Sequence, residues 1–343
     1  MKHTEFFAAL KKGEIAPCYL FEGEEEYTKR SALRALRERV AGGDFAAMND
    51  TRLVNPPPDA LIAAAETLPF LSDRRFLEIR DCAMLAAGKA KDYDEDSAVR
   101  RLDEYMNHLP DTLCMVFYAS GKADGRKKLY QILKKKALVV AFDPLDDREL
   151  TQWIAQTLGR AGKRIGQAAC QRLWFSAGRN LMLLNNEIGK LIGYAGERNE
   201  ITEDDIAAVC VQSTEYKVFD MAETLLTGRG VQAMTMLQAL LRDGEDRMTL
   251  LALLGRQCRQ LRYAKALAAQ GAQPGEIASK LGVPPFAARK TMSMSGQYTA
   301  AQLAEMAKMC LDTEYQVKSG RLMDAGALER VMLTILSLRE GKA

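Results

Sequence analysis

Cys18-Tyr19-Leu20-Phe21-Glu22-Gly23-Glu24-Glu25-Glu26-Tyr27-Thr28-Lys29 is the stretch on which the reading of the fold turns. A short apolar run follows Pro17 and stops at Gly23. Residues 25–41 then place Tyr27, Ala32, Leu33, Leu36 and Val40 at helical spacing. An apolar run bounded by turn residues and followed by an amphipathic segment is a buried strand feeding a helix. The pattern recurs downstream. The spacing predicts a weaker strand over 46–54, then a break at Pro56-Pro57-Pro58 and a helix capped by Asp59 that runs to about Leu68. Arg75–Ile79 alternates as a strand does, 97–108 reads as helix, Cys114–Tyr118 as a buried strand, 125–136 as a basic helix and Leu138–Phe142 as a strand. Repeated β–α–β units with near-continuous apolar strands predict a parallel sheet covered on both faces.

In a nucleotide-binding domain of this class, the loop after the first strand cradles phosphate. That chemistry needs G-x-x-x-x-G-K-[ST], with backbone N–H groups around the phosphates, a lysine for charge and a hydroxyl for magnesium. The segment Gly23, Glu24, Glu25, Glu26 has neither the second glycine nor the GK[ST] ending. Each carboxylate about 4 Å from a phosphate charge costs about 1 kcal/mol in water and about 4 kcal/mol at an effective dielectric near 20. The loop therefore argues against nucleotide binding. Gly121-Lys122-Ala123-Asp124-Gly125-Arg126-Lys127-Lys128 also follows a strand, but it lacks the phosphate-loop spacing and reads as a solvated basic helix start.

From about residue 146 the strand signals stop. Leu150, Trp153, Ile154 and Leu158 share a helical face, and helices are expected over 166–177 and 180–194, broken at Gly178 and Gly196. Thr202 with Asp205 predicts a capped helix through Val211. The clearest helices beyond are 231–242, 247–269, 300–317 and 325–338. The expected organisation is an α/β domain over 1–145, a small helical domain over 146–215 and a helical domain over 216–343.

Composition sets the outer bounds. The chain has 343 residues, 48% hydrophobic and 27% charged, with a net charge of +3, so there is ample core and no bulk charge of the kind that merely coats nucleic acid. Its seven cysteines are odd in number, show no C-x-x-C spacing and mostly adjoin apolar residues, which predicts reduced, buried thiols. With only His3 and His108 available, neither near a cysteine cluster, no metal site is expected. The opening MKHTEFFAALKKGE lacks the apolar core of a signal peptide, and no run approaches the roughly 18–20 apolar residues of a membrane span, so a cytoplasmic protein is expected. Carboxylates such as Asp92-Tyr93-Asp94-Glu95-Asp96 and Glu203-Asp204-Asp205 sit in turns or at helix starts, without the setting that tunes an acid–base pair.

Three features point to binding. Thr67-Leu68-Pro69-Phe70-Leu71-Ser72-Asp73-Arg74-Arg75 puts bulky apolar residues into a connection between helix and strand, where they either fold back into the core or present a plug to a partner. The 276–292 segment, Glu276-Ile277-Ala278-Ser279-Lys280-Leu281-Gly282-Val283 and onward, resembles a helix-turn-helix, although its second helix opens Phe286-Ala287-Ala288, which is poor for reading bases. Arg256, Arg259, Arg262 and Lys265 form a broad basic band along the helix 247–269, and Leu250, Leu253, Leu254, Leu261 and Leu267 offer apolar surface to partner helices or to their own domain.

Taken in order, several segments resemble the bacterial DNA polymerase III clamp-loader delta subunits. They are Tyr19–Glu25, Leu68–Arg75, Asn186-Glu187-Ile188-Gly189-Lys190-Leu191, Gly255-Arg256-Gln257 with Arg259-Gln260-Leu261, Leu281–Phe286, and Asp312 with Lys318-Ser319-Gly320. The resemblance covers essentially the whole chain. It implies a fold that is α/β plus all-α: a degenerate AAA+ module, made of a RecA-like sheet domain and a helical lid, followed by a helical collar. It implies an accessory subunit of a DNA-directed DNA polymerase, with no catalytic site, nucleotide, metal or cofactor of its own and without the Ser-Arg-Cys arginine finger of sister subunits. Phe70 and Leu71, supported by Leu68, would enter a pocket of the sliding clamp (the beta subunit). Further implied partners are the ATPase motor subunits and the delta-prime subunit of a hetero-pentamer, and primer–template DNA reached through the assembled loader. Two other classes stay open on the residues alone, a helix-turn-helix regulator using 276–292 and, more weakly, a nucleotide hydrolase.

Overall fold

The computed structural model describes residues 1–86 and 94–340. The chain divides into two compact units, Met1–Asp146 and Asp147–Ala343.

The first unit is built on five strands: β1 (Cys18–Glu22), β2 (Asp50–Val54), β3 (Arg75–Arg80), β4 (Leu113–Tyr118) and β5 (Leu138–Ala141). They lie in the order β2-β3-β4-β1-β5, and every pairing is parallel. The apolar runs at 18–22 and 113–118 become central strands because both faces are covered, which explains their lack of alternation. On one face Phe6 from α1 (His3–Lys11) and Ala32, Leu33 and Leu36 from α2 (Glu26–Ala41) close over Tyr19, Phe21, Phe76 and Val116. The other face begins beyond the short helical turn α3 (Ala46–Asn49). There α4 (Pro58–Glu66), α5 (Glu95–Tyr105) and α6 (Lys128–Lys136) bring Leu61, Leu102 and Leu133 onto Leu20, Leu77 and Met115. Glu78 of β3 is fully buried. It is compensated by ion pairs to Arg37 of α2 and to Arg80, and Arg37 also meets Asp50 at 3.2 Å, so a charge that would be costly alone ties α2 to the sheet.

Two details differ from the sequence reading. The strand expected at 46–54 begins only at Asp50, because Ala46-Ala47-Met48 favours a turn of helix over a pleated edge, and pairing with β3 starts at Asp50–Phe76. Asp59 is not the cap of α4. Pro57 holds that position and Pro58 the first helical one, where a missing N–H costs nothing, while Asp59 sits in the first turn and pairs with Arg101 at 2.5 Å. The helix stops at Glu66, and Thr67 is already extended ahead of Pro69.

The second unit is helical. It holds α7 (Asp147–Arg160), α8 (Gln167–Ala177), α9 (Leu181–Ala195) and α10 (Glu203–Val209), then α11 (Thr214–Leu226), α12 (Gly230–Arg242), α13 (Arg247–Ala269), α14 (Pro274–Leu281), α15 (Pro285–Gly296), α16 (Ala300–Lys318) and α17 (Ala327–Glu340). The Thr202–Asp205 capping box is present, although the helix it opens ends at Val209 rather than Val211. Strand structure does not end at residue 146 as expected. The two-residue strands β6 (Arg164–Ile165) and β7 (Glu200–Ile201) pair in parallel, too short to leave a sequence signal. Glu187 of α9 accepts the Val211 N–H at 3.0 Å and pairs with Lys190, tying the chain beyond α10 back onto α9. One apolar cluster runs from Val218 to Ile335 around α13. The side chains of Leu250, Leu254 and Leu261 are buried within it, so α13 spends its apolar face on its own unit rather than on a partner. Gly255 permits the close approach of α16, since a Cβ there would lie 3.1 Å from the Cβ of Cys310.

Candidate functional site

The loop at the end of β1 lies where an open parallel sheet presents its ligand crevice. Two of its N–H groups are already taken. Gly23 donates to the Gly121 carbonyl at 2.9 Å and Glu25 to the Phe142 carbonyl at 2.9 Å. Gly23 has φ +122°, and a Cβ there would stand 2.2 Å from the Phe142 carbonyl oxygen, so the loop is pressed against the segment after β5. At the start of α2, where a helix would offer N–H groups to an anion, the chain supplies its own carboxylate: Glu25 Oε1 accepts from the amides of Tyr27 at 3.0 Å and Thr28 at 3.4 Å. Burial raises the Glu25 carboxyl above its ordinary value, against the pull of those two hydrogen bonds.

Lys29 is the cation nearest in sequence to a phosphate-loop lysine, and it is fully buried. Its ammonium donates to the carbonyls of Gly23 and Ala119, both at 2.8 Å, and pairs with Glu26 at 3.0 Å. Glu26 also meets Arg30 at 2.9 Å and accepts from Tyr118 Oη at 2.6 Å. The three glutamates thus do unequal work. Only Glu24 is exposed, and Glu26 is neutralised by neighbours, so the obstacle to an anion is occupied backbone more than carboxylate repulsion.

The connection from α4 to β3 carries a different surface. Leu68 is 76% exposed, Phe70 47% and Leu71 72%, so the segment does not fold back into the core. Three described non-glycine residues have positive φ: Asn55, Leu71 and Asp81. Asn55 and Asp81 are types that tolerate this, and their side chains bond the Ala83 amide and the Ser120 hydroxyl. Leu71, at φ +48°, has no such means, and a bulky apolar residue in the left-handed region costs about 1–2 kcal/mol. The segment is held from below. Asn49 is 1% exposed; its Oδ1 accepts the Phe70 N–H at 2.7 Å and its Nδ2 donates to the Phe70 carbonyl at 2.8 Å and the Phe45 carbonyl at 3.2 Å. Arg75 donates to the Met48 carbonyl at 2.9 Å and Arg74 to the Ile15 carbonyl at 3.2 Å.

The same turn contributes apolar surface that the sequence reading missed. Phe45, 41% exposed, meets the Phe70 ring edge-on at 5.5 Å, and Met48 is 57% exposed. The signal was present, in large apolar residues inside a short polar connection, but the expected strand over 46–54 hid it.

The basic band of α13 is only partly available. Arg256, Arg259 and Arg262 are exposed, yet Arg256 faces Glu215 at 3.5 Å, and half-buried Lys265 donates to the Ser295 carbonyl at 3.2 Å. Arg259 and Arg262 have no ion-pair partner among the described residues. The helix-turn-helix shape is real, with α14 and α15 joined through Gly282 at φ +64°, but the start of the second helix faces inward. Ala287 and Ala288 are fully buried, Thr291 is 3% exposed, and Phe286 meets Phe175 at 5.3 Å. That helix cannot present its first turn to a major groove.

The cysteines are free, and all but Cys210 are buried. Burial pushes the thiols of Cys82 and Cys170 up to about 11 and that of Cys114 up to about 12, which keeps them protonated and unreactive near neutral pH. Of the acidic run at 92–96, Asp92 and Tyr93 lie outside the described residues, while Asp94 caps α5. Among the described residues no cluster of His, Cys, Asp or Glu could hold a metal, and no helix is long and apolar enough to cross a membrane.

Comparison with known proteins gives one consistent result. Residues 19–143 match the family described as DNA polymerase III, delta subunit, and residues 215–335 match the C-terminal domain of the same subunit. The DNA polymerase III subunit delta of Bacillus subtilis is 28% identical, over 98% of this chain and 97% of its own. The probable delta subunit of Aquifex aeolicus is 22% identical, over 77% of this chain and 75% of its own. The solved structure of the Bacillus subtilis DNA clamp loader delta protein superposes with a TM-score of 0.56, covering 98% of this chain and 99% of that one.

Proposed function

Because the chain belongs to the DNA polymerase III delta-subunit family of clamp-loader proteins, we propose that it binds the sliding clamp through Phe70 and Leu71, with Leu68 in support, and favours a clamp with one interface open. The observation that carries this reading is an exposed apolar pair held by a buried side chain, one member of it in a backbone conformation that its own residue type disfavours. An apolar anchor in a centred, desolvated pocket contributes about 2 kcal/mol or more. That energy is available only where the clamp surface accepts the plug, so it shifts the clamp toward whichever state accepts it better. Calorimetric titration of the purified clamp ring into this protein tests the reading; saturable binding supports it, and absence of binding at tens of micromolar removes it.

In the same proposal the subunit is an accessory one that leaves ATP to the motor subunits. Residues 1–145 form the degenerate RecA-like domain, 146–215 the lid and 216–343 the collar that joins the motor and delta-prime subunits in the cytoplasm. The occupied N–H groups around Gly23 support the absence of nucleotide chemistry. Calorimetry with ATP and magnesium should show no heat of binding at 100 μM protein, and Lys29→Met should leave that result unchanged. Micromolar ATP binding abolished by the substitution would count against the proposal.

A contribution to primer–template DNA rests on Arg259 and Arg262, the unpaired members of the band, rather than on Arg256 and Lys265. Arg259→Glu with Arg262→Glu should weaken DNA binding by the complete loader. It should also make the log–log salt dependence shallower by about 0.9 for each phosphate that the variant no longer neutralises. An unchanged slope means that the band does not meet phosphate.

A further inference from the structure

We infer that Asn49 is a positioning residue for clamp binding, holding the Phe70–Leu71 segment in its docking conformation before the clamp arrives. The inference rests on the clamp-binding reading of that segment.

The geometry is that of a side chain standing in for a strand. A carboxamide carries the same donor and acceptor as a peptide group, and Asn49 uses both on one residue, taking the Phe70 N–H at 2.7 Å and giving to the Phe70 carbonyl at 2.8 Å. The second amide hydrogen goes to the Phe45 carbonyl at 3.2 Å. Two chain segments 21 residues apart are thereby fixed to each other at one buried point, and Phe45 and Phe70, whose backbones it holds, also meet edge-on through their rings. The residues fixed are not themselves buried, so packing does little to order them. Leu71 stands largely in solvent and sits at φ +48°. Without Asn49 the connection Thr67–Asp73 would relax, Leu71 would return to negative φ, and the plug would have to be ordered again at the moment of binding. A loop that is already in its bound shape avoids that cost, which is how a residue with almost no exposed surface can raise affinity for a partner it never touches.

Hydrogen exchange and clamp binding test this together on the full-length protein. In the unsubstituted chain the Phe70 amide should exchange at least about ten-fold more slowly than an open loop amide; exchange at the open-loop rate means that Asn49 does not hold it and overturns the inference without any variant. Asn49→Leu keeps the shape and removes all three hydrogen bonds, and Asn49→Ala removes the side chain. Each should speed Phe70 exchange and weaken clamp binding by about ten-fold. A merely structural role would lower the melting temperature and leave the affinity of the folded protein intact. A folded variant with fast Phe70 exchange and normal clamp affinity overturns the inference while leaving the clamp-binding reading in place. If Phe70→Ala with Leu71→Ala also binds normally, the clamp-binding reading fails first, and the inference with it.

Discussion

Phe70→Ala combined with Leu71→Ala should lower affinity for the sliding clamp about a thousand-fold while costing the fold about 1–2 kcal/mol. The first figure takes about 2 kcal/mol for each of two central apolar anchors, with about 1.4 kcal/mol per factor of ten. The second follows from partial exposure: Leu71 is 72% exposed and has little buried area to lose, while Phe70, 47% exposed, gives up a half-buried ring and its edge-on contact with Phe45. Had the pair been part of the core, phenylalanine alone would cost about 3–5 kcal/mol on truncation. Leu71→Gly sharpens the test. It relieves about 1–2 kcal/mol of left-handed strain at φ +48° against about 0.5–1 kcal/mol of added unfolded-state freedom. Its melting temperature should therefore hold or rise while clamp binding falls, a combination that separates a functional residue from a structural one. Calorimetry for affinity and circular dichroism for melting give both readouts. A double variant that melts early yet binds the clamp normally would show that these residues serve the fold.

A chain of residues 1–146 should bind the clamp within about three-fold of the full protein and fail to co-elute with the other loader subunits, whereas residues 147–343 should do the reverse. The cut falls at 146, not at 216, for a physical reason. The first unit owns two complete apolar clusters, one on each face of its sheet. A cut at 216 would instead strip Phe175 of its ring contacts with Tyr216, Phe219 and Phe286, each between 5.3 and 5.6 Å, and leave an apolar face in water. Size-exclusion chromatography with the reconstituted loader reads assembly, and surface-immobilised clamp reads binding. If residues 1–146 join the loader, assembly does not depend on the helical unit; if they fold and ignore the clamp, the docking surface is not the one on the α4–β3 connection.

The pattern of apolar runs and glycine breaks was sufficient for the parallel sheet, the change to helical structure near residue 146 and most of the helices, because burial on two faces or on one stripe leaves a periodic trace in the chain. It was also enough to raise Phe70 and Leu71 as candidates, since bulky apolar residues in a connection are costly unless something covers them. It misjudged Ala46–Asn49, where a weak strand pattern prevailed over poor strand formers, and it could not see β6 and β7, which are held by two residues each. The family resemblance added the partner, which periodicity does not contain.

What the sequence determined by itself, then, was the order of elements, the missing phosphate-loop residues around Gly23 and the apolar character of residues 68–71. The tertiary structure decided which groups face which. It buried Lys29 among carbonyls, closed the Gly23 loop on its own acceptors, turned the start of α15 into the core and set Asn49 against Phe70 from 21 residues away. A hydrogen bond across such a gap depends on where two strands of one sheet begin, and no local pattern of residue types records that distance.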